Sequence, residues 1–241
     1  MSTDFSRTER LLGKDAMDAL KSARVAVFGV GGVGGYVCEA LARSGVGSLD
    51  LIDSDVVSPS NLNRQIIALQ STVGRMKVDV MRERLLDINP NLTVRTFPVF
   101  VLPENIGDFP FAGYDYIVDA IDTVAAKIAL IEAADRVGVP IISSMGAGNK
   151  LDPTRFTVTD LFKTTTDPLA RVLRRELRSR GITKLKVVWS DEPPLTPVAT
   201  PDGETKGGRP APGSAAFVPS VAGLILAGEV VKALAGNRIE G

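Results

Sequence analysis

The sequence predicts an α/β fold: a Rossmann-like, mostly parallel sheet flanked by helices, with additional strands and helices toward the C-terminus. Three observations predict it. Short apolar runs alternate with segments of helical periodicity. Between the first strand and the first long helix lies G-x-G-x-x-G, at Gly29, Gly31 and Gly34. The next strand ends on an acid, Asp53. Strand, glycine turn, helix, strand and terminal acid make a mononucleotide-binding half. The glycines let backbone approach a phosphate, the helix start offers free N–H groups, and the acid can accept from a ribose hydroxyl. The plainer alternative is glycines that serve only a tight turn and helix–strand packing.

Each element follows in order. Residues 6–22 carry a stripe of Leu11, Leu12, Ala16, Ala19 and Leu20 and predict one helix, which also bears Arg7 and Arg10. Val25–Phe28 predicts a buried strand. Val33, Val37, Ala40 and Leu41 fall at helical spacing, and Gly45 and Gly47 close that helix. Ser48–Ile52 predicts the second strand. A polar loop with Asn61 and Arg64 leads through a short helix into a longer one over 74–88, with Lys77 near its start. Leu92–Phe97 and Tyr114–Ala120 predict strands, the latter running into Asp122. A helix over 124–137 and a strand over 139–144 complete the core, which spans 24–150. Beyond it, strands are predicted over 155–159 and 184–189, with a helix over 168–180 between them. Residues 190–213, rich in Pro, Gly, Ser and Thr, predict a mobile loop, and 221–234 a closing helix.

Composition narrows the chemistry. The 241 residues include no histidine and one cysteine, Cys38. Histidine-based catalysis, histidine-ligated metals, cysteine zinc sites and intramolecular disulfides are therefore excluded. The formal net charge is zero, so a polyanion must be held by a local patch. The first ten residues lack an apolar signal region. The apolar stretch 215–235 contains Pro219, Glu229 and Lys232, and is expected not to span a membrane. These features predict one domain over 1–241 in the cytoplasm. Cys38 sits among apolar neighbours and predicts a core position.

Parallel sheets bind ligands beyond the carboxyl ends of their strands. Asp53, the loop 60–65 and Asp122 are predicted at such ends, with Lys77 close by. Two cations and two acids suit ATP-dependent adenylation of a carboxylate. Arg64 and Lys77 can neutralise phosphate charge and Asp122 can hold Mg²⁺. Read alone, the two cations are equally well solvated surface groups.

The motifs GVGGVG, LIDSD, SNLNRQ, VGRMKV and VDAID occur in that order over about 24–122. This run resembles the adenylating fold of ubiquitin-activating enzymes and of the bacterial enzymes that activate sulfur-carrier proteins. The resemblance implies that Gly29, Gly31, Gly32 and Gly34 line the nucleotide and that Asp53 takes the ribose. It implies that Asn61, Arg64 and Lys77 hold phosphates and that Asp122 binds Mg²⁺. Arg7 matches an arginine that the family inserts into the partner subunit's site, with Arg10 the fallback, so a homodimer is expected.

Further stretches are FSRTERLLG at 5–13, ALARSGVG at 40–47, DPLARVLRRELRSRGI at 167–182, VVWSDEPP at 187–194 and GSAAFVPSVAGLILAGEVV at 213–231. With them nearly the whole chain resembles the tRNA threonylcarbamoyladenosine dehydratases. That family uses ATP to activate the carboxylate of threonylcarbamoyl-adenosine in tRNA, and the side chain then cyclises with net loss of water. The missing Cys-x-x-Cys pairs and the lack of a cysteine after the core agree with it. In this light Arg171, Arg174, Arg175 and Arg178 are expected to contact tRNA phosphates, and residues 151–241 to face tRNA and the dimer partner. Without the resemblance they read as a solvated helix face. Residues 143–148 line either the substrate pocket or a monovalent-cation (Na⁺ or K⁺) site. Whether sulfur or redox proteins are further partners stays open.

Three other functions compete. One is an adenylyltransferase that activates the C-terminus of a ubiquitin-like or sulfur-carrier protein. Another is an NAD-dependent oxidoreductase, which would leave Arg64 and Lys77 without a task. The third is a nucleotide-sensing module without turnover.

Overall fold

The computed structural model describes residues 5–198, 205–206 and 209–236. Helices α1 (Ser6–Leu12) and α2 (Lys14–Ser22) lead into β1 (Arg24–Phe28). The single helix predicted over 6–22 is thus two. Gly13 takes φ 85° and ψ 165°, a conformation no helix contains, and turns the chain between them. Next come α3 (Gly34–Arg43), β2 (Ser48–Ile52), α4 (Lys77–Ile88) and β3 (Thr93–Phe97). The α4 helix starts at Lys77 rather than Gly74. Gly74 has φ 86°, and Val56 and Met76 bridge in antiparallel fashion, which holds 74–76 outside the helix. The short helix of the polar loop is a single 3₁₀ turn, Pro59–Asn61.

The second half contains β4 (Tyr116–Asp119), α5 (Val124–Val137) and β5 (Ile141–Ser144). Then follow β6 (Phe156–Asp160), α6 (Pro168–Ser179), β7 (Lys186–Ser190), β8 (Thr205–Lys206), β9 (Arg209–Pro210) and α7 (Phe217–Ala235). The loop predicted over 190–213 contains the β8–β9 pair, and 199–204 and 207–208 lie outside the described residues.

Seven strands form one sheet in the order β3-β2-β1-β4-β5-β7-β6. All neighbours pair in parallel except β6 with β7, so the strands after residue 150 extend the same sheet. Alternation along the strands assigns the faces. Val25, Val27, Leu49, Leu51, Val118 and Val188 pack under α2, α3, α4 and α7. Ala26, Phe28 and Ile117 pack under α5 with Phe109 and Phe111. Val187 meets Leu173 and Leu177 of α6. Central strands are buried on both faces, which is why β1 reads as an unbroken apolar run rather than an alternating one.

Pro219 does not interrupt the last helix. It sits in the first turn of α7, where its missing N–H has no intrahelical partner to lose. α7 is therefore long and apolar enough to match a membrane span by length and composition. Its buried stripe, Val218, Ala222, Leu226, Ala227 and Val230, packs on the sheet and its covering helices, while Phe217 and Leu224 are exposed. Glu229 on the same helix is ion-paired 3.2 Å from Lys186.

Candidate active site

The strand order reverses between β1 and β4: the chain leaves β1 for β2 and β3, then returns to β4 and β5. At such a switch point the two connections diverge and leave a crevice over the carboxyl ends. Gly29 follows β1 there with φ 90°, and a Cβ on it would lie 2.6 Å from the Ala120 carbonyl oxygen. Gly34 opens α3, and a Cβ on it would lie 1.8 Å from the Gly29 carbonyl oxygen. These two glycines are required by the fold itself. Cβ atoms on Gly31 and Gly32 would meet only ordinary contacts, at 3.7 and 3.4 Å. α3 begins with no side-chain cap and no acid in its first turn; the Gly35 and Tyr36 N–H groups already donate to the Gly31 and Val33 carbonyl oxygens, so the helix start offers an anion chiefly its positive dipole end.

Two clefts adjoin over this point. The first is lined by Gly29, Asp53, Asp55, Lys77, Phe100 and Asp122. The second has a volume of about 410 Å³ and is lined among others by Gly32, Arg64, Asp122, Lys150 and Asp167. Ala120, Ile121 and Asp122 belong to both. Asp122 is exposed on this shared wall, and Thr123 Oγ1 donates weakly to its Oδ1 at 3.4 Å.

Asp53 ties the cleft to the glycine turn. Its Oδ2 accepts from the Val30 N–H at 2.7 Å and its Oδ1 from the Asp55 N–H at 2.8 Å. Lys77 is only 5% exposed and is the first residue of α4. A cation at a helix start opposes the dipole, and Asp55 compensates, with Oδ2 2.7 Å from Lys77 Nζ. Asp55 was not singled out by sequence, although it ends the same LIDSD run as Asp53. Arg64 Nη1 donates to the Ser60 carbonyl and to Asn63 Oδ1, both at 2.9 Å, and has no ion pair among the described residues.

Other expected residues lie apart from the cleft walls. Asn61 is buried and its Oδ1 accepts from the Ser58 N–H at 3.1 Å, closing the 3₁₀ turn. Gly31, Gly34 and Asn61 line neither cleft. Gln65 was missed: it is buried beside Gly31 and its Oε1 has no hydrogen-bond partner among the described residues. Arg7 is not brought to the clefts of its own chain. It is exposed on α1, two residues past Phe5, whose ring rests beside Gly45 where the chain enters β2, at the amino ends of the strands.

The second cleft extends to α6. Asp167 caps that helix through Ala170 N–H at 2.8 Å and accepts from Gly146 N–H at 3.0 Å, so the 143–148 run and α6 meet at the rim. Residues 144–148 line this cleft, whereas Ser143 lies under it, with its Oγ donating to Asp119 Oδ2 at 2.7 Å. The four arginines share one side of α6 but differ in engagement. Arg174 donates to Thr164 Oγ1, Arg175 pairs with Glu176 at 2.8 Å, and Arg178 lies 5.3 Å over the Phe162 ring. Arg171 is exposed with no ion pair among the described residues. Cys38 is fully buried, and burial pushes its thiol pKa well above the ordinary range.

A model of the ThiF family matches residues 5–240. The chain is 47% identical over 239 residues to a tRNA threonylcarbamoyladenosine dehydratase of Bacillus subtilis, covering 96% of this chain and 94% of that protein. It superposes on the Escherichia coli tRNA N6-threonylcarbamoyladenosine dehydratase in complex with AMP with a TM-score of 0.88, at 38% identity. That match covers 98% of this chain and 96% of the other. For the same E. coli enzyme in complex with ATP, the TM-score is 0.87 at 39% identity, over 95% and 93% of the chains.

Proposed function

The chain belongs to the ThiF family, and from that membership we propose that it is an ATP-dependent tRNA threonylcarbamoyladenosine dehydratase. The carrying observation is the meeting of two clefts at Asp122: one holds the glycine turn and ribose-side acid, the other opens toward a basic helix. ATP lies along the first cleft with its phosphates crossing the shared wall toward α3, where Gly32 on the second cleft leaves room for close approach. Asp53 receives the ribose. Lys77, held in place by Asp55, and Arg64, with no acidic partner among the described residues, take the phosphate charge.

The substrate carboxylate enters from the second cleft and attacks the α-phosphate. Pyrophosphate leaves, and the acyl-adenylate then closes on its own side chain with release of AMP. A carboxylate is already an ionised nucleophile, so the absence of histidine costs the mechanism nothing. Among the described residues no group of three acids or cysteines can hold a metal unaided. Asp122 fits Mg²⁺ all the same, because Mg²⁺ on ATP takes one or two carboxylates and completes its shell with phosphates and water. When bound it would neutralise charge on the leaving pyrophosphate.

tRNA docks with its backbone along α6, whose N-terminus forms the rim of the second cleft, so the modified base beside it reaches the pocket. A second copy of the chain covers the exposed side of α7, at Phe217 and Leu224, and supplies Arg7 to the opposite site. The compartment is the cytoplasm. Activation of a carrier protein is disfavoured by the near full-length likeness to a dehydratase and by a buried, inert sole cysteine. Mass spectrometry of tRNA nucleosides, before and after incubation with ATP, tests the proposal. The modified adenosine loses the mass of one water if the reading holds and is unchanged if it fails.

A further inference from the structure

Lys150 is a buried cation that makes no ion pair among the described residues. It is 4% exposed and lines the second cleft. Its Nζ donates to the Glu192 carbonyl oxygen. Among the described residues, no carboxylate lies within ion-pair distance of it. Three acids attract it through space, Asp167, Glu192 and Asp191, and each has other partners, Asp191 through its ion pair with Arg155 at 2.7 Å. Asp167 accepts from the backbone at Ala170 and Gly146. Glu192 accepts from Leu151 N–H at 2.9 Å and Asp152 N–H at 3.1 Å. Carboxylates pinned by backbone donors cannot swing to neutralise a lysine. An ammonium has three donors, and one is used.

The place is built rather than incidental. Asn149, just before Lys150, takes φ 58° and joins three segments. Its N–H donates to the Gly213 carbonyl, its Oδ1 accepts from Gly213 N–H, and its carbonyl accepts from Leu195 N–H, each at 2.7 Å. This knot fixes the backbone from which Lys150 reaches the cleft. Burial lowers the Lys150 pKa, with the nearby Asp167 and Glu192 acting the other way. Keeping such a charge buried is unfavourable until an anion arrives.

We infer that Lys150 is the counter-ion of the substrate carboxylate, receiving the acid end of the threonylcarbamoyl group in the second cleft. This rests on the dehydratase reading and deepens it. A carboxylate offers two acceptor oxygens to the two remaining donors of Nζ. Arg64 and Lys77 are then left to the phosphates of ATP. The cation therefore selects tRNA that carries the acid over tRNA that lacks it.

Equilibrium binding without ATP tests this, with tRNA bearing the threonylcarbamoyl group and the same tRNA without it. Wild-type protein should prefer the modified tRNA by about tenfold or more, the worth of one charge-assisted contact. Lys150→Met should abolish the preference and leave affinity for unmodified tRNA unchanged. Lys150→Gln, which keeps a donor for the Glu192 carbonyl but no charge, should do the same. The Tm of either variant should equal or exceed that of wild type, because an unpaired buried charge is gone. Persistence of the preference in a folded variant overturns the inference. So does equal weakening of both tRNAs, which would assign Lys150 to the RNA backbone or to structure alone. If wild-type protein leaves threonylcarbamoyl-adenosine unchanged in the presence of ATP, the dehydratase reading itself has failed, a distinct result.

Discussion

Lys127 Nζ lies 2.9 Å from Asp119 Oδ1, and neither side chain is exposed at all. Asp119 also accepts from the Ile121 N–H at 3.2 Å, and Ser143 Oγ donates to it, so the pair underpins the turn that presents Asp122. The contact is an ion pair rather than an aligned hydrogen bond. Lys127→Met strands a buried carboxylate and should destabilise the protein by about 3–5 kcal/mol. Replacing Asp119 by Leu as well should recover much of that loss. Urea unfolding of the single and double variants measures both.

Asp122→Ala should leave stability within about 0.5 kcal/mol of wild type, since the side chain is exposed on the cleft wall. AMP formation should fall by about 10²-fold or more, the scale of losing one electrostatic partner of the transition state. Pyrophosphate release and thermal unfolding on the same preparation separate the two effects.

Arg7 belongs to the opposite subunit's site if the dimer reading is right, since α1 lies at the far end of the strands from the clefts of its own chain. Arg7→Ala and Asp122→Ala should each be inactive. Mixed under conditions of proven subunit exchange, they should regain activity, because some heterodimers carry one intact site. Absence of recovery would remove Arg7 from the catalytic arrangement.

Arg171 and Arg175 point from the same side of α6, and of the two Arg175 alone has a carboxylate partner among the described residues. Arg171→Glu should weaken tRNA binding and lower its log–log salt slope by about one unit. Arg175→Glu should act similarly, less the contribution of its freed Glu176 partner. ATP affinity should not move. An unchanged slope would return α6 to an ordinary solvated surface.

Cys38 should be dispensable. It is fully buried with its thiol held protonated, far from reactive thiolate behaviour. Cys38→Ala should keep turnover near wild type and cost about 1 kcal/mol for the small cavity. In native protein Cys38 should resist alkylation until unfolding. Loss of turnover in a folded variant that binds ATP would point to a thiol-dependent step.

Much of this was legible in the sequence because it depends on local spacing. Gly29, Gly34 and Asp53 fall within one strand–turn–helix–strand unit, where three residues at fixed offsets specify the geometry. The alternation of apolar runs likewise gave the parallel sheet. What escaped depends on partners distant along the chain or on backbone angles. Gly13 looks like any residue in a helical stripe until its positive φ splits α1 from α2. Pro219 reads as a breaker unless it is known to fall in a first turn. Lys77 reads as a free cation, yet Asp55, in the preceding loop, holds it. Lys150 gives no signal at all: its isolation follows from which backbone groups engage Asp167 and Glu192, and no spacing rule reports that.

The central claim is that this site makes an acyl-adenylate on modified tRNA. Purified protein, ATP with labelled α- and γ-phosphates, Mg²⁺ and tRNA bearing threonylcarbamoyl-adenosine test it in one reaction. The account predicts AMP and pyrophosphate in equal amounts, matched by cyclised nucleoside, and neither product with unmodified tRNA. ADP and inorganic phosphate, or AMP formed equally well without the modified base, would contradict it.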